Sequence, residues 1–224
     1  MLHYHLSPEV EACTVGVDEE TPRPVIQAHQ VHLDHIAIID RPDITRAELE
    51  GFDALVTRLP GCAIGVRTAD CVPVLLYDPV RKVVAAVHCG WRGTVQHLSA
   101  KTIARMRDLY GTNPADIVAQ IGPSIGPDAF QVGQEVVDAF REAGFPMEQI
   151  HSWRGEPLPN QMQTGHHLDL WRANEWLLEH AGVPADHIQT SRICTYSNPC
   201  VFYSARHDGN CHDRRNINWI SIIP

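Results

Sequence analysis

Residues 68 to 93 read Thr68-Ala-Asp-Cys71-Val-Pro-Val-Leu-Leu-Tyr-Asp78-Pro-Val-Arg-Lys-Val83-Val-Ala-Ala-Val-His88-Cys-Gly-Trp-Arg-Gly93. Two β-rich runs, 72–77 and 83–88, flank Asp78-Pro-Val-Arg81, whose residue types favour a turn. They form an antiparallel hairpin. With Pro79 and Val80 central in the turn, Leu76 opposes Val83, Leu75 opposes Val84, Val74 opposes Ala85 and Cys71 opposes His88. Directly opposed residues hold their Cβ atoms about 4.5–5.5 Å apart. A thiolate and an imidazole at that separation can share a metal ion or act as nucleophile and base. The plainer alternative is a buried free cysteine and a histidine that ends a strand. A slip of one residue would put the two on opposite faces. Pro73 inside the first run predicts an edge position or a strand end there.

Downstream, Cys89-Gly90-Trp91-Arg92-Gly93 leads into a helix expected over 94–110, with Val95, Leu98, Ile103, Met106 and Leu109 near one face and Gly111 at its end. Glycines beside a helix start can open backbone N–H groups toward an anion, with Arg92 as countercharge. An ordinary strand-to-helix turn accounts for them equally well. Other β-rich runs are 13–17, 35–40, 53–57, 63–67 and 117–121. Further helices are expected over 133–143 and 168–181, stopped by Gly144 and Gly182, and Gly165-His-His167 reads as the entry to the second of these. Strand character returns from Ile188 to Ile223. Strands precede and follow the helices without regular βαβ alternation, which predicts an α+β fold with mixed sheets. No repeat, low-complexity tract or linker divides the chain, so a single domain over 1–224 is expected.

The 224 residues carry 44% hydrophobic and 20% charged side chains, a globular composition. A formal charge of −9 argues against a nucleic-acid partner, which needs clustered Lys and Arg. A few local arginines still suffice for a small anionic substrate. No apolar run approaches the roughly 18–20 residues of a membrane span, and the N-terminus lacks the features of a secretory signal. The seven cysteines are odd in number and scattered, which predicts a reducing cytoplasm rather than a disulfide framework. Fourteen histidines are many, and metal chemistry is one reason to carry them. Among them His29-Gln30-Val31-His32 and His35 form a cluster in extended-looking sequence, so one alone need face a site. Asp34 lies close enough in sequence to orient it. Cys194, Cys200, Cys211 and His212 lack any Cys-x-x-Cys spacing and read weakly as a second site.

The Ala-Asp-Cys71 and His88-Cys-Gly-Trp-Arg-Gly93 elements, with Ile121-Gly-Pro-Ser-Ile-Gly126, resemble the YfiH-like proteins. That family was long labelled multicopper polyphenol oxidase or laccase-domain and is now described as purine nucleoside phosphorylases. Gln30-Val-His32, Gln131-Val-Gly133, Ile193-Cys-Thr195 and Phe202-Tyr-Ser-Ala-Arg-His-Asp-Gly209 match in the same order, so the resemblance runs from about His29 to the C-terminus. It implies a four-layer α/β/β/α sandwich and a zinc ion held by His32, Cys71 and His88, which are then also the catalytic residues. It further implies phosphorolysis of adenosine, inosine, guanosine and methylthioadenosine, deamination of adenosine, and Cys194 near the site. Three N/S ligands with a free position are the arrangement of a catalytic zinc. Arg92 or Arg206 is the expected phosphate contact.

Two departures bear on specificity. The family's N-terminal Gly-Gly turn and Asn-Arg element have no recognisable counterpart before His29, so that arginine's role is vacant or filled by another residue. Arg206-His207 stands where an Arg-Arg pair is usual, and Cys89 stands where a small apolar residue is common; Cys89 is expected to pack against the strand. A laccase mechanism is not expected, because only His3-Tyr-His5 has the His-x-His form that a copper cluster needs. Copper in the N/S site would be adventitious. The rival readings are a metal-free hydrolase using Cys71 and His88 and a non-enzymatic protein that binds nucleosides or a partner.

Overall fold

The computed structural model describes residues 1–154, 165–209 and 214–224. In chain order the strands are β1 (Leu2–Tyr4), β2 (Val10–Val15), β3 (Ile26–Gln27), β4 (Ile36–Ile39), β5 (Ala54–Thr57), β6 (Ile64–Thr68), β7 (Val72–Asp78), β8 (Val83–Cys89) and β9 (Val118–Ile121). The remaining strands are β10 (Gln131–Val132), β11 (His151–Trp153), β12 (His166–Leu168), β13 (Ile188–Thr190) and β14 (Asn216–Ile222). The helices are α1 (Trp91–Val95), α2 (Leu98–Tyr110), α3 (Gln134–Glu142), α4 (Met147–Ile150), α5 (Leu170–His180) and α6 (Ala205–Asp208).

The opening hairpin, β7 and β8, lies at the centre of a six-stranded mixed sheet ordered β13-β9-β7-β8-β5-β4. Its register differs from the expected one: Asp78 pairs Val83, Pro73 pairs His88 and Val72 pairs Cys89. The loop is longer than a two-residue turn because the Asp78 carboxylate accepts from the Val80 and Arg81 amides at 2.9 and 3.0 Å, and Lys82 turns the chain at φ 52°. The pairing moves by an even number of residues, so every side chain keeps its face. Pro73 sits in an internal strand, but the β9 ladder begins beyond it at Val74–Ile121, where no donor from proline is missed.

Both faces of this sheet are buried, which is why its strands read as continuous apolar runs. Val72, Val74, Leu76, Val83, Ala85 and Val87 pack under Leu98, Ile103 and Met106 of α2 and Leu177 and Leu178 of α5. Leu75, Tyr77, Val84 and Ala86 face Ile64 and Val66 of β6 and Ile220 and Ile222 of β14. Those belong to a five-stranded sheet ordered β1-β2-β14-β6-β3. Helices, sheet and sheet are thus stacked in that order. The outer face of the second sheet carries a small cluster of Cys13, Val15, Ala63 and Trp219 to which none of α1 to α6 contributes.

Three elements depart from expectation. The single helix over 94–110 is two, because His97 adopts a left-handed φ of 59° between α1 and α2, and Leu109 is exposed. Gly111 ends α2 in the left-handed conformation, as its position predicts. His166 and His167 are not a helix entry but the middle strand, β12, of a three-stranded sheet ordered β10-β12-β11. Over residues 191–209 the chain forms turns and α6 rather than continuous strand.

Candidate metal centre

The ends of β7, β8 and β5 meet at one point. His88 lies near the C-terminal end of β8, is 3% exposed, and has Nδ1 2.8 Å from Oδ1 of Asp53, the residue just before β5. The β5–β8 pairing brings the two together, and the His88 amide also donates to the Asp53 carbonyl at 2.8 Å. The same fully buried carboxylate accepts the backbone amides of Val31, His32 and Leu33 at 3.1, 3.0 and 2.9 Å. His32 is held in a left-handed turn, φ 63°, a conformation a non-glycine residue keeps only when its surroundings enforce it. One side chain therefore fixes both histidines, whose ring centroids are 4.8 Å apart.

Cys71 enters from the third side, directly before β7. Asp70, at φ 84°, is anchored to the tail: its carboxylate accepts from the Thr195 hydroxyl and the Arg206 amide, both at 2.7 Å. The Cys71 Sγ and one nitrogen from each of His32 and His88 all lie within 4.8 Å of one another. Gly90 makes room for this. A Cβ at that position would stand 2.9 Å from Cys71 Sγ and 3.2 Å from His32 Cδ2.

Burial works against charge on Cys71, His88 and Asp53, and their mutual contacts outweigh it. The Cys71 thiol is brought well below its ordinary range by the His88 charge and by hydrogen bonds to both imidazoles. His88 is raised by Cys71 and Asp53, and Asp53 is lowered by His88 and the Leu33 and Val31 amides. Each of the two favours charge on the other, the thiolate on Cys71 and the imidazolium on His88. The donor set, one thiolate and two imidazoles with a carboxylate behind one of them, fits zinc. The glycine at the mouth leaves the sulfur unobstructed.

These residues open onto a cleft of about 510 Å³ that is also lined by His29, Gln30, Arg46, Arg67 and Arg215. Arg92 and Arg206 do not line it. The Arg92 guanidinium lies over the Trp91 ring at 4.3 Å, and Arg206 donates to the Gln131 carbonyl at 3.1 Å. Asp34 orients no histidine; it pairs with Lys101, and Asp53 takes the orienting role from a more distant part of the chain. Cys89 is fully buried in the helix-side core, where burial pushes its thiol up. Cys194 is not among the residues that line the cleft; its Sγ accepts the Gly126 amide at 3.2 Å, and the next residue, Thr195, bonds Asp70 beside Cys71, while Cys211 and His212 lie outside the described residues. Asp53 went unread because it looked like the first residue of a strand. The three cleft arginines come from separate segments with no shared motif.

A buried Asp–His pair behind a His/Cys/His donor set, on two facing sheets backed by helices, defines an α+β protein with a candidate metal centre. Residues 10–222 match the family described as multi-copper polyphenol oxidoreductase laccase, and the chain belongs to that family. It is 48% identical over 162 residues to a purine nucleoside phosphorylase of Bacteroides thetaiotaomicron, an alignment covering 72% of this chain and 57% of that protein. It is 41% identical to adenosine deaminase RL5 of an unknown prokaryotic organism, covering 88% and 74% respectively. The crystal structure of the hypothetical protein YfiH of Bacillus licheniformis superposes with a TM-score of 0.79 at 32% identity, covering 88% of this chain and 74% of that one. The chain thus spans little more than half of the Bacteroides relative. No helix among the described residues is long and apolar enough to cross a membrane.

Proposed function

We propose that residues 1–224 act as one catalytic domain that cleaves purine nucleosides with phosphate and deaminates adenosine, using zinc held by His32, Cys71 and His88. The observation that carries this reading is the convergence of the three donors, within 4.8 Å, on a cleft whose histidines are fixed by one buried carboxylate. Relatives named for both activities support it. When bound, zinc supplies a Lewis acid that activates water or polarises a purine substituent.

The chain's own residues do the rest. Asp53 keeps the proton of His88 on Nδ1 and so turns Nε2 toward the cleft. The charge of His88 and the hydrogen bonds to both imidazoles favour the deprotonated form of Cys71, which is the form a metal requires. The left-handed turn at His32 brings the third donor over from the 29–33 segment, and the Asp53 carboxylate offsets its strain. Adenosine, inosine, guanosine and methylthioadenosine are the proposed substrates, and copper in this site is read as adventitious.

The thiolate–imidazolium pair favours a second reading, a hydrolase in which Cys71 attacks and His88 relays the proton. Metal analysis followed by assays on a nucleoside panel, with and without phosphate and before and after chelation, separates the two. Activity lost with zinc and restored by it is the expected result. Full activity in metal-free protein would establish the hydrolase instead, and no product from any nucleoside would leave a binding protein.

A further inference from the structure

The cleft has a charge that the molecule as a whole does not. The chain carries a formal charge of −9, yet Arg46, Arg67 and Arg215 line this cleft and no Asp or Glu does among the described residues. The three arrive from unrelated segments. Arg67 is in β6, where the Gln30 side chain brackets its backbone, Nε2 to the Arg67 carbonyl at 2.9 Å and Oε1 to the Arg67 amide at 2.8 Å. Arg215 directly precedes β14. Because Arg67 pairs with Ile217, two residues further on, Arg67 and Arg215 occupy the same face of the five-stranded sheet.

Arg46 opens the short 3-10 turn Arg46–Leu49, which is tied to the His29 segment through the His29 amide and the Leu49 carbonyl at 3.1 Å. Among the described residues its exposed guanidinium makes no hydrogen bond, ion pair or ring contact, whereas Arg67 and Arg215 each engage other groups and also border a neighbouring cleft with Asp18, Glu19 and Glu20. The nearby carboxylates are engaged elsewhere: Glu48 with Thr45 and Arg41, Asp43 with Arg41, and Glu50 with His29. An exposed cation that pairs with no described residue, beside two others in a cleft lined by no described carboxylate, suits an anion.

We propose that Arg46, Arg67 and Arg215 form a subsite for inorganic phosphate opposite the His32, Cys71 and His88 donors, and that Arg46 is the contact through which it captures its ligand. This rests on the reading of the cleft as a nucleoside site and replaces Arg92 and Arg206 as the phosphate contacts. Planar guanidinium groups suit the assignment, since each can give two parallel hydrogen bonds to one tetrahedral oxyanion.

The test is calorimetric titration of inorganic phosphate into wild-type protein of known metal content, Arg46→Ala, Arg46→Lys and Arg107→Ala, with phosphorolysis of inosine measured on the same proteins. Arg107 pairs with Asp108 on α2 and serves as a charge control. Arg46→Ala is expected to raise the Kd for phosphate about five- to tenfold, the scale of one charge-assisted hydrogen bond at an open site. The KM for phosphate should follow, and should rise more than the KM for inosine. Arg46→Lys should recover part of the loss, and Arg107→Ala should match wild type. An Arg46→Ala protein that binds phosphate like wild type overturns the subsite. Phosphate binding with this dependence but no phosphorolysis keeps the subsite and overturns the proposed activity. Inosine cleavage by wild-type protein that binds no phosphate overturns the subsite alone.

Discussion

At Asp53, a carboxylate with no solvent exposure accepts four hydrogen bonds, three from the amides of residues 31–33 and one from His88. Asp53→Asn keeps the shape but turns one acceptor into a donor facing N–H groups. It is expected to cost about 2–4 kcal/mol in urea unfolding. It should also weaken zinc about 10–100-fold in chelator competition, as loss of an orienting carboxylate does. Cys71 gives a prediction with a sign. Its pKa is lowered, so the thiolate persists to lower pH than for an ordinary thiol near about 8.5. Alkylation of metal-free protein at Cys71 should stay fast at pH 7, and His88→Ala should move its pH profile upward. The pairing of Cys71 with His88 was legible in the sequence even though the register was not, because a shift of two residues preserves the face. Asp53 was illegible because its role depends on β5 lying beside β8, a contact between distant segments, whereas Asp34 merely stood near in the chain.

The elements were read best where the apolar pattern is long. β7, β8, α3 and α5 fall within two residues of their expected bounds, since each buries a continuous face. The break at His97 left no mark, because apolar spacing runs on through it and a histidine is an unremarkable residue until its φ is known. The sheet of β10, β11 and β12 was missed for a different reason: strands of two or three residues show no period. The loop from β8 into α1 carries the prediction at this scale. Gly90 has φ −59° and ψ 167°, which alanine also adopts, so any effect of Gly90→Ala comes from its Cβ against Cys71 and His32. The variant should fold, bind zinc at least about tenfold more weakly in chelator competition, and lose activity in proportion to metal.

The whole molecule sets a net negative charge against a positive cleft. Small anions are then drawn by a local field that works against the long-range one, and salt alters the balance. Raising ionic strength from about 0.05 to 0.5 M shortens the screening length from roughly 14 to 4 Å. The KM for phosphate should rise over that range while the KM for a neutral nucleoside stays nearly constant, a comparison steady-state kinetics settles. The α+β class was readable because strands and helices come in blocks. The division of the strands between two sheets was not, since β6 and β7 are neighbours in the chain yet belong to different sheets. The order of the second sheet has a consequence for how the protein is made. β14 comes last in sequence among the described strands, and it sits between β2 and β6. During synthesis β2 and β6 emerge long before the strand that joins them. Until then the inner surface of the hairpin, with Leu75, Tyr77, Val84 and Ala86, has no completed sheet to cover it. A nascent chain stalled before residue 216 therefore leaves the ribosome with its metal donors present and an adhesive apolar face uncovered, a natural client for a chaperone.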